Sequence, residues 1–114
     1  MSAAAPAAPA NGGALIWCPF PDSASARAAI ERLLDESLIA CANIFPQIYS
    51  VFQWQGERGE AEETGVLLKT STCLLDRAVG RLAELHPYET PAILGWRCDS
   101  AAPATLAWMG TLPC

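Results

Sequence analysis

The chain carries one histidine, His86, and it opens the segment HPYETP. There an imidazole stands just before Pro87, and the Tyr88 phenol and the Glu89 carboxylate fall between Pro87 and Pro91. A stiff backbone that presents a nitrogen, a phenol and a carboxylate together is what a small polar site requires. A histidine at the end of a helix also has a plain structural use, donating to the last carbonyls or capping them as a cation. The second candidate is Cys18, which ends an apolar run just before PFPD and the start of a helix. A thiol near a helix N-terminus is expected to ionise more readily and to become a better ligand and nucleophile; otherwise it is a core or loop thiol. Trp54, in FQWQG, stands beside a glycine turn as the anchor of a hairpin tip or the wall of a cleft. Lys69, the only lysine, lies in an apolar stretch and either snorkels at a sheet edge or pairs with a carboxylate. Glu57, Glu60, Glu62 and Glu63 crowd a turn and read as a solvated tip.

The elements that must position these groups follow from hydrophobic periodicity. Ala14 to Cys18 is a short apolar run stopped by Pro19 and Pro21, a buried strand. Asp22 and Ser23 supply capping oxygens for a helix through SASARAAIERLLDES, with Ala26, Ile30, Leu33 and Leu34 on its apolar face and an Arg27–Glu31 pair on the other. Leu38 to Phe45 reads as a strand buried on both faces. It is interrupted at Pro46 and resumed from Ile48 to Trp54, giving one long bent strand. Gln55 to Glu60 is the turn, and Glu63 to Thr70 the returning strand. Ser71 and Thr72 cap a second helix whose stripe is Leu75, Ala78, Val79, Leu82 and Leu85, ended by His86-Pro87. Ala92 to Trp96 is a fourth strand, and Ala104 to Met109 a short last helix. The order β-α-β-β-α-β plus a tail is the ferredoxin-like, split-βαβ arrangement of the α+β class. Such a sheet leaves one face and a hairpin overhang bare, so the chain is expected to oligomerise.

Composition narrows the function. The chain of 114 residues forms one domain over 14–114, with 1–13 (MSAAAPAAPANGG) read as a flexible tail. Hydrophobic residues make up 52 %, which excludes a disordered body. A net charge of -5 offers no basic stripe, so no nucleic acid is expected as a partner. No apolar run is long enough to span a membrane. Five cysteines without a C-x-x-C argue against a zinc knuckle or redox pair; Cys41, Cys73 and Cys98 read as core thiols in a reducing, cytoplasmic setting. Phosphate-loop, dinucleotide, serine-elbow and zinc-protease signatures are all missing, so nothing points to an enzyme.

Taken together, CPFPDSASA, LIACANIFPQIYSVFQWQG, Glu63 through LLKT, HPYETPAI and LAWM resemble the CutA family of divalent-cation tolerance proteins, over roughly residues 14 to 110. The resemblance implies a ferredoxin-like subunit in a tight homotrimer, associated with copper and other divalent cations. It also implies metal ligation by Cys18 and His86, with Leu85 standing where a bacterial relative has a second histidine. Two readings compete with metal binding. In one, an inter-subunit cleft lined by Trp54, Lys69, His86, Tyr88 and Glu89 holds a small effector, which Lys69 would make anionic. This is by architectural analogy to trimeric PII regulators. In the other, the trimer is purely structural and these residues bond across subunits.

Overall fold

The computed structural model describes residues 12–114. In chain order the elements are β1 (Gly13–Phe20), α1 (Ser23–Asp35), β2 (Cys41–Trp54) and β3 (Glu57–Ser71). A 3-10 turn over Thr72–Leu74 then leads into α2 (Leu75–Leu85), β4 (Leu94–Arg97) and α3 (Pro103–Met109). The strands form one sheet in the order β2-β3-β1-β4, with every neighbouring pair antiparallel. Residues 1–11 of the expected tail lie outside the described residues, while Gly12 and Gly13 belong to the sheet end. The Gly12 N–H donates to Thr72 Oγ1 at 3.1 Å, and the Thr72 N–H returns a bond to the Gly12 carbonyl at 2.7 Å.

Alternation along β1 builds the core. Ala14, Ile16, Cys18 and Phe20 face the helices and stand opposite Thr70, Leu68, Val66 and Thr64 of β3. Over them pack Ala26, Ala29, Ile30 and Leu33 of α1 and Leu75, Ala78 and Leu82 of α2. Leu34 is not part of that face; it is exposed, and Ala29 takes the place expected for it. Asp22 is the cap of α1, accepting the Ser25 N–H at 2.7 Å. Glu36, just past the helix, accepts from Arg32 and, across to α2, from Arg81 at 2.8 Å. Gly95 of β4 lies under α2, where a Cβ would stand 2.9 Å from Leu75 Cδ1.

The opposite face of the sheet carries Leu15, Trp17 and Leu67, with Phe45, Leu94 and Trp96 exposed by 45 %, 68 % and 45 %. Neither α1 nor α2 covers this face, and the short α3 reaches only its end, where Thr105 and Met109 border a hollow with Leu15 and Lys69. The second strand departs from its expected form. Leu38 and Ile39 are buried in the lead-in rather than in a strand, and β2 starts at Cys41. It is a sheet edge, not a strand buried on both faces. The bend at Pro46 is present: pairing with β3 slips between Phe45 and Ile48, and Thr64 Oγ1 donates to the Pro46 carbonyl at 3.3 Å. A bulge accommodates a residue with no N–H to give the ladder.

The turn is shorter than expected. Gln55 and Gly56 alone make it, with φ of 52° and 84°, the primed geometry that suits a two-residue hairpin. The ladder therefore reaches the tip, from Trp54↔Glu57 inward. Glu57 and Glu60 sit on β3 instead of in the turn, and Glu62 and Glu63 follow them in the same strand. A second correction concerns sulfur. Cys73 is not a core thiol: it forms a disulfide with Cys114, with Cα atoms 6.0 Å apart, while Cys18, Cys41 and Cys98 are free.

Candidate functional site

The end of β1 and the end of α2 meet at one carbonyl. Cys18, fully buried, donates its S–H to the Pro19 carbonyl at 3.6 Å, and His86 Nε2–H donates to the same oxygen at 2.8 Å. Pro87 turns the chain out of α2, so His86 is extended at φ −73°, ψ 140°, and its imidazole swings back over β1. The ring stacks on Phe20 with centroids 4.3 Å apart, and its Nδ1 accepts the Tyr88 N–H at 3.0 Å. Both ring nitrogens are thus occupied, one as donor and one as acceptor, which fixes the tautomer. Burial, and after it the charge of Glu63, push the Cys18 thiol up to about 12. Proximity to the start of α1 was expected to do the opposite. Removal from water outweighs the helix dipole here because the thiol points into the core beside Val66.

Outside this corner the segment 88–92 and the hairpin enclose an open cleft of 770 Å³. Phe52 and Trp54 of β2, Glu63 of β3, Pro19, Tyr88 and Glu89 line it. The Tyr88 hydroxyl donates to Glu63 Oε2 at 2.8 Å and bridges the loop to the hairpin. Desolvation first, then that bond and the charge of Glu63, push the Tyr88 hydroxyl up to about 12.

Of the residues singled out in the sequence, Cys18 and His86 converge on Pro19, and Trp54, Tyr88 and Glu89 share the cleft. His86 lies beneath the cleft, its ring centroid 4.9 Å from that of Tyr88, and does not line it. Lys69 stands apart. It pairs with Leu15 and Cys41 near the end of the ladder and borders a separate 170 Å³ hollow with Cys98 and Met109. Within one chain the cleft lining has carboxylates and no Lys or Arg. Glu63 and Phe52 are cleft residues that the sequence reading left out. The signal was available in the register: a two-residue turn at Gln55–Gly56 puts Glu63 opposite Ile48 and on the same face as Ser50, Phe52 and Trp54.

The donor set does not fit a transition metal within one chain. Such a site needs a deprotonated thiolate, a free imidazole nitrogen and further ligands. Here the thiol is held protonated, both imidazole nitrogens are bonded, and among the described residues no group of three His, Cys, Asp or Glu side chains is placed to hold an ion. Among those residues no helix is long and apolar enough to cross a membrane.

Comparison with known proteins places this geometry. The family model for the CutA1 divalent ion tolerance protein matches residues 14–111. The divalent-cation tolerance protein CutA of Pyrococcus horikoshii is 37 % identical over 95 residues, spanning 83 % of this chain and 92 % of that one. The crystal structure of divalent ion tolerance protein CutA1 from Ehrlichia chaffeensis superposes with a TM-score of 0.84 at 32 % identity, covering 90 % of this chain and 95 % of the other. A structure described as the periplasmic divalent cation tolerance protein CutA from Archaeoglobus fulgidus gives 0.82 at 28 %, covering 88 % and 97 %. A family match over residues 14–111, a relative 37 % identical over 83 % of the chain and these superpositions of its α+β fold together show that the chain belongs to the CutA family of divalent-cation tolerance proteins.

Proposed function

We propose that this protein serves divalent-cation tolerance without catalytic turnover, as a homotrimer of ferredoxin-like subunits that takes up copper or another divalent cation. The family match over residues 14–111 carries the reading. Two features of the chain support it. The bare sheet face and the overhanging hairpin expose Phe45, Trp96, Tyr49 and Val51, apolar surface of the kind that subunit contacts cover. The cleft is lined by Glu63 and Glu89 with no opposing cation, so its field favours positive charge. Because one chain supplies an incomplete donor set, assembly is part of the proposal: ligands from neighbouring subunits complete any ion site, and Cys18 and His86 join it only by giving up their bonds to Pro19 and Tyr88 and the thiol proton.

Two measurements on the full chain test this. Light scattering at micromolar concentration is expected to report three times the 12.1 kDa chain mass. Calorimetric titration with Cu²⁺ and with Zn²⁺ is expected to show uptake by that species. A monodisperse 12.1 kDa particle, or a trimer that takes up neither ion, refutes the reading. The Cys18→Ser, His86→Ala double variant then decides the ligands: unchanged affinity removes that pair from the site.

A further inference from the structure

We propose that Cys73 and Cys114 form a reversible oxidation site: a small-molecule disulfide closes their bond and docks the C-terminal segment, and a thiol opens the bond and releases that segment. The inference stands apart from the metal reading, because it needs no ion and no residue of the cleft.

The pair lies away from the surfaces that neighbouring copies are proposed to cover. β3 runs from the hairpin tip at Glu57 to Ser71, and Cys73 follows directly, so the bond sits at the far end of the sheet from the overhang. Its turn leads into α2 on the helix-covered side, with Leu74 and Leu75 buried in the core. Cys73 and Cys114 are themselves exposed, so a dissolved thiol or disulfide reaches either sulfur. Their Cα atoms, 6.0 Å apart, stand at an ordinary separation for a disulfide, and closure needs no shift of the backbone. The other cysteines, Cys18, Cys41 and Cys98, are free thiols.

The two ends of the bond are held unequally. Cys73 stands on a pinned turn, where the Gly12 N–H donates to Thr72 Oγ1 at 3.1 Å and the Thr72 N–H donates to the Gly12 carbonyl at 2.7 Å. Ser71 Oγ lies 3.0 Å from Cys73 Sγ, and since a disulfide sulfur has no hydrogen the hydroxyl is the donor. The same hydroxyl is placed to support a Cys73 thiolate when the pair is open. Cys114 ends a segment with little of its own to hold it. α3 has seven residues with Met109 as its buried side chain, and the N–H groups of Gly110, Thr111 and Leu112 bond back to α3. A helix this short is marginal by itself. Leu112 packs at the edge of the core, and the disulfide just beyond it is the far anchor.

Closure is an ordinary exchange. The Cys73 thiolate attacks one sulfur of a small disulfide RSSR, and the expelled RS⁻ takes up the proton that Cys73 lost. The Cys114 thiolate then attacks Cys73 Sγ in the mixed disulfide and expels the second RS⁻, which is protonated likewise. Two electrons pass from the protein pair to RSSR, and both thiol protons end on two molecules of RSH. Excess RSH runs the two steps backwards.

The test uses the intact protein with chelator present and glutathione as the thiol–disulfide couple. Mixtures from mostly reduced to mostly oxidised are quenched with acid, unfolded, alkylated and read by mass spectrometry, and hydrogen exchange is followed on the two end states. All five cysteines are expected to alkylate at the reducing end and three at the oxidising end, with a peptide linking Cys73 to Cys114 within one chain. Amides of 104–112 are expected to exchange about tenfold faster in the reduced form, while those of α1 keep their rate. C114S, which has no bond to close, should show the fast rate in both mixtures. Three results each overturn the proposal: five alkylated cysteines at every ratio, a bond that survives a large excess of reduced glutathione, or glutathione left on Cys73 in place of the link. So does equal exchange over 104–112 in the two forms. Chelator keeps the two readings separate: a chain that switches here but fails to take up Cu²⁺ or Zn²⁺ loses only the metal proposal, and the reverse removes only this one.

Discussion

Replacing His86 with alanine separates a structural imidazole from one kept to hold an ion. In the native chain the ring is 7 % exposed, donates to Pro19, accepts from Tyr88 and stacks on Phe20. Each hydrogen bond contributes about 1 kcal/mol net. The stack adds about 1 kcal/mol beyond its buried area. Alanine also leaves the Pro19 carbonyl with only the weak Cys18 S–H donor and opens a hollow under Tyr88. The sum is about 3 kcal/mol, or roughly 10 °C in Tm for a chain of this length. Guanidinium unfolding followed by circular dichroism, at one fixed protein concentration and with excess chelator, measures it. Chelator is the deciding condition. An imidazole retained only as a metal ligand costs nothing to remove when no metal is bound. A loss below about 1 kcal/mol in chelator refutes the assignment of His86 as the anchor of the loop.

Two further outcomes follow. The Cys18 thiol has a folded value of about 12 against an ordinary 9.0, so the native state holds its proton where the unfolded chain releases it. Its contribution is therefore complete below pH 9 and falls as pH rises from 9 toward 12, by up to about 1.4 kcal/mol per unit. A Cys18→Ala variant should lose that part of the alkaline slope, and in the native parent a thiol reagent should modify Cys41 and Cys98 before Cys18. An alkaline slope unchanged in C18A contradicts this. The Cys73–Cys114 bond joins residues 41 apart, and the loop-entropy estimate assigns it about 4 kcal/mol. C114S should lower the oxidised protein's Tm by about 15 °C and leave the reduced protein unchanged; equal melting of parent and variant under oxidising conditions speaks against the clasp.

Periodicity located nearly every element, because the signals were local. Asp22 before a 3.6-residue pattern, Pro87 after one, and Pro103 and Gly110 around another are each read within a turn of chain. What failed depended on distant partners. Leu38 to Phe45 is as apolar as a central strand, yet β2 lies at the sheet edge, since strand order is decided by β1 entering between β3 and β4. Cys73 looked like a core thiol because its partner is the last residue of the chain. Lys69 was expected in a cleft between subunits; within one chain the ladder sets it opposite Leu15, away from Trp54, Tyr88 and Glu89. Cys18 and His86 meet at the Pro19 carbonyl, but their state was not legible. Whether a thiol at a strand end meets water or the core depends on alternation in β1, and whether an imidazole nitrogen is free depends on a carbonyl 67 residues away.

The long edge strand carries one more implication. β2 runs 14 residues with only one neighbour, so its outer N–H and C=O groups form a row ready to pair, next to exposed Tyr49 and Val51. Pro46 and the bulge beside it interrupt that row, leaving two shorter stretches in place of one continuous template. Any strand that docks on this line must therefore do so along two short ladders rather than one, so the break at Pro46 caps how far an unplanned pairing along the edge can run.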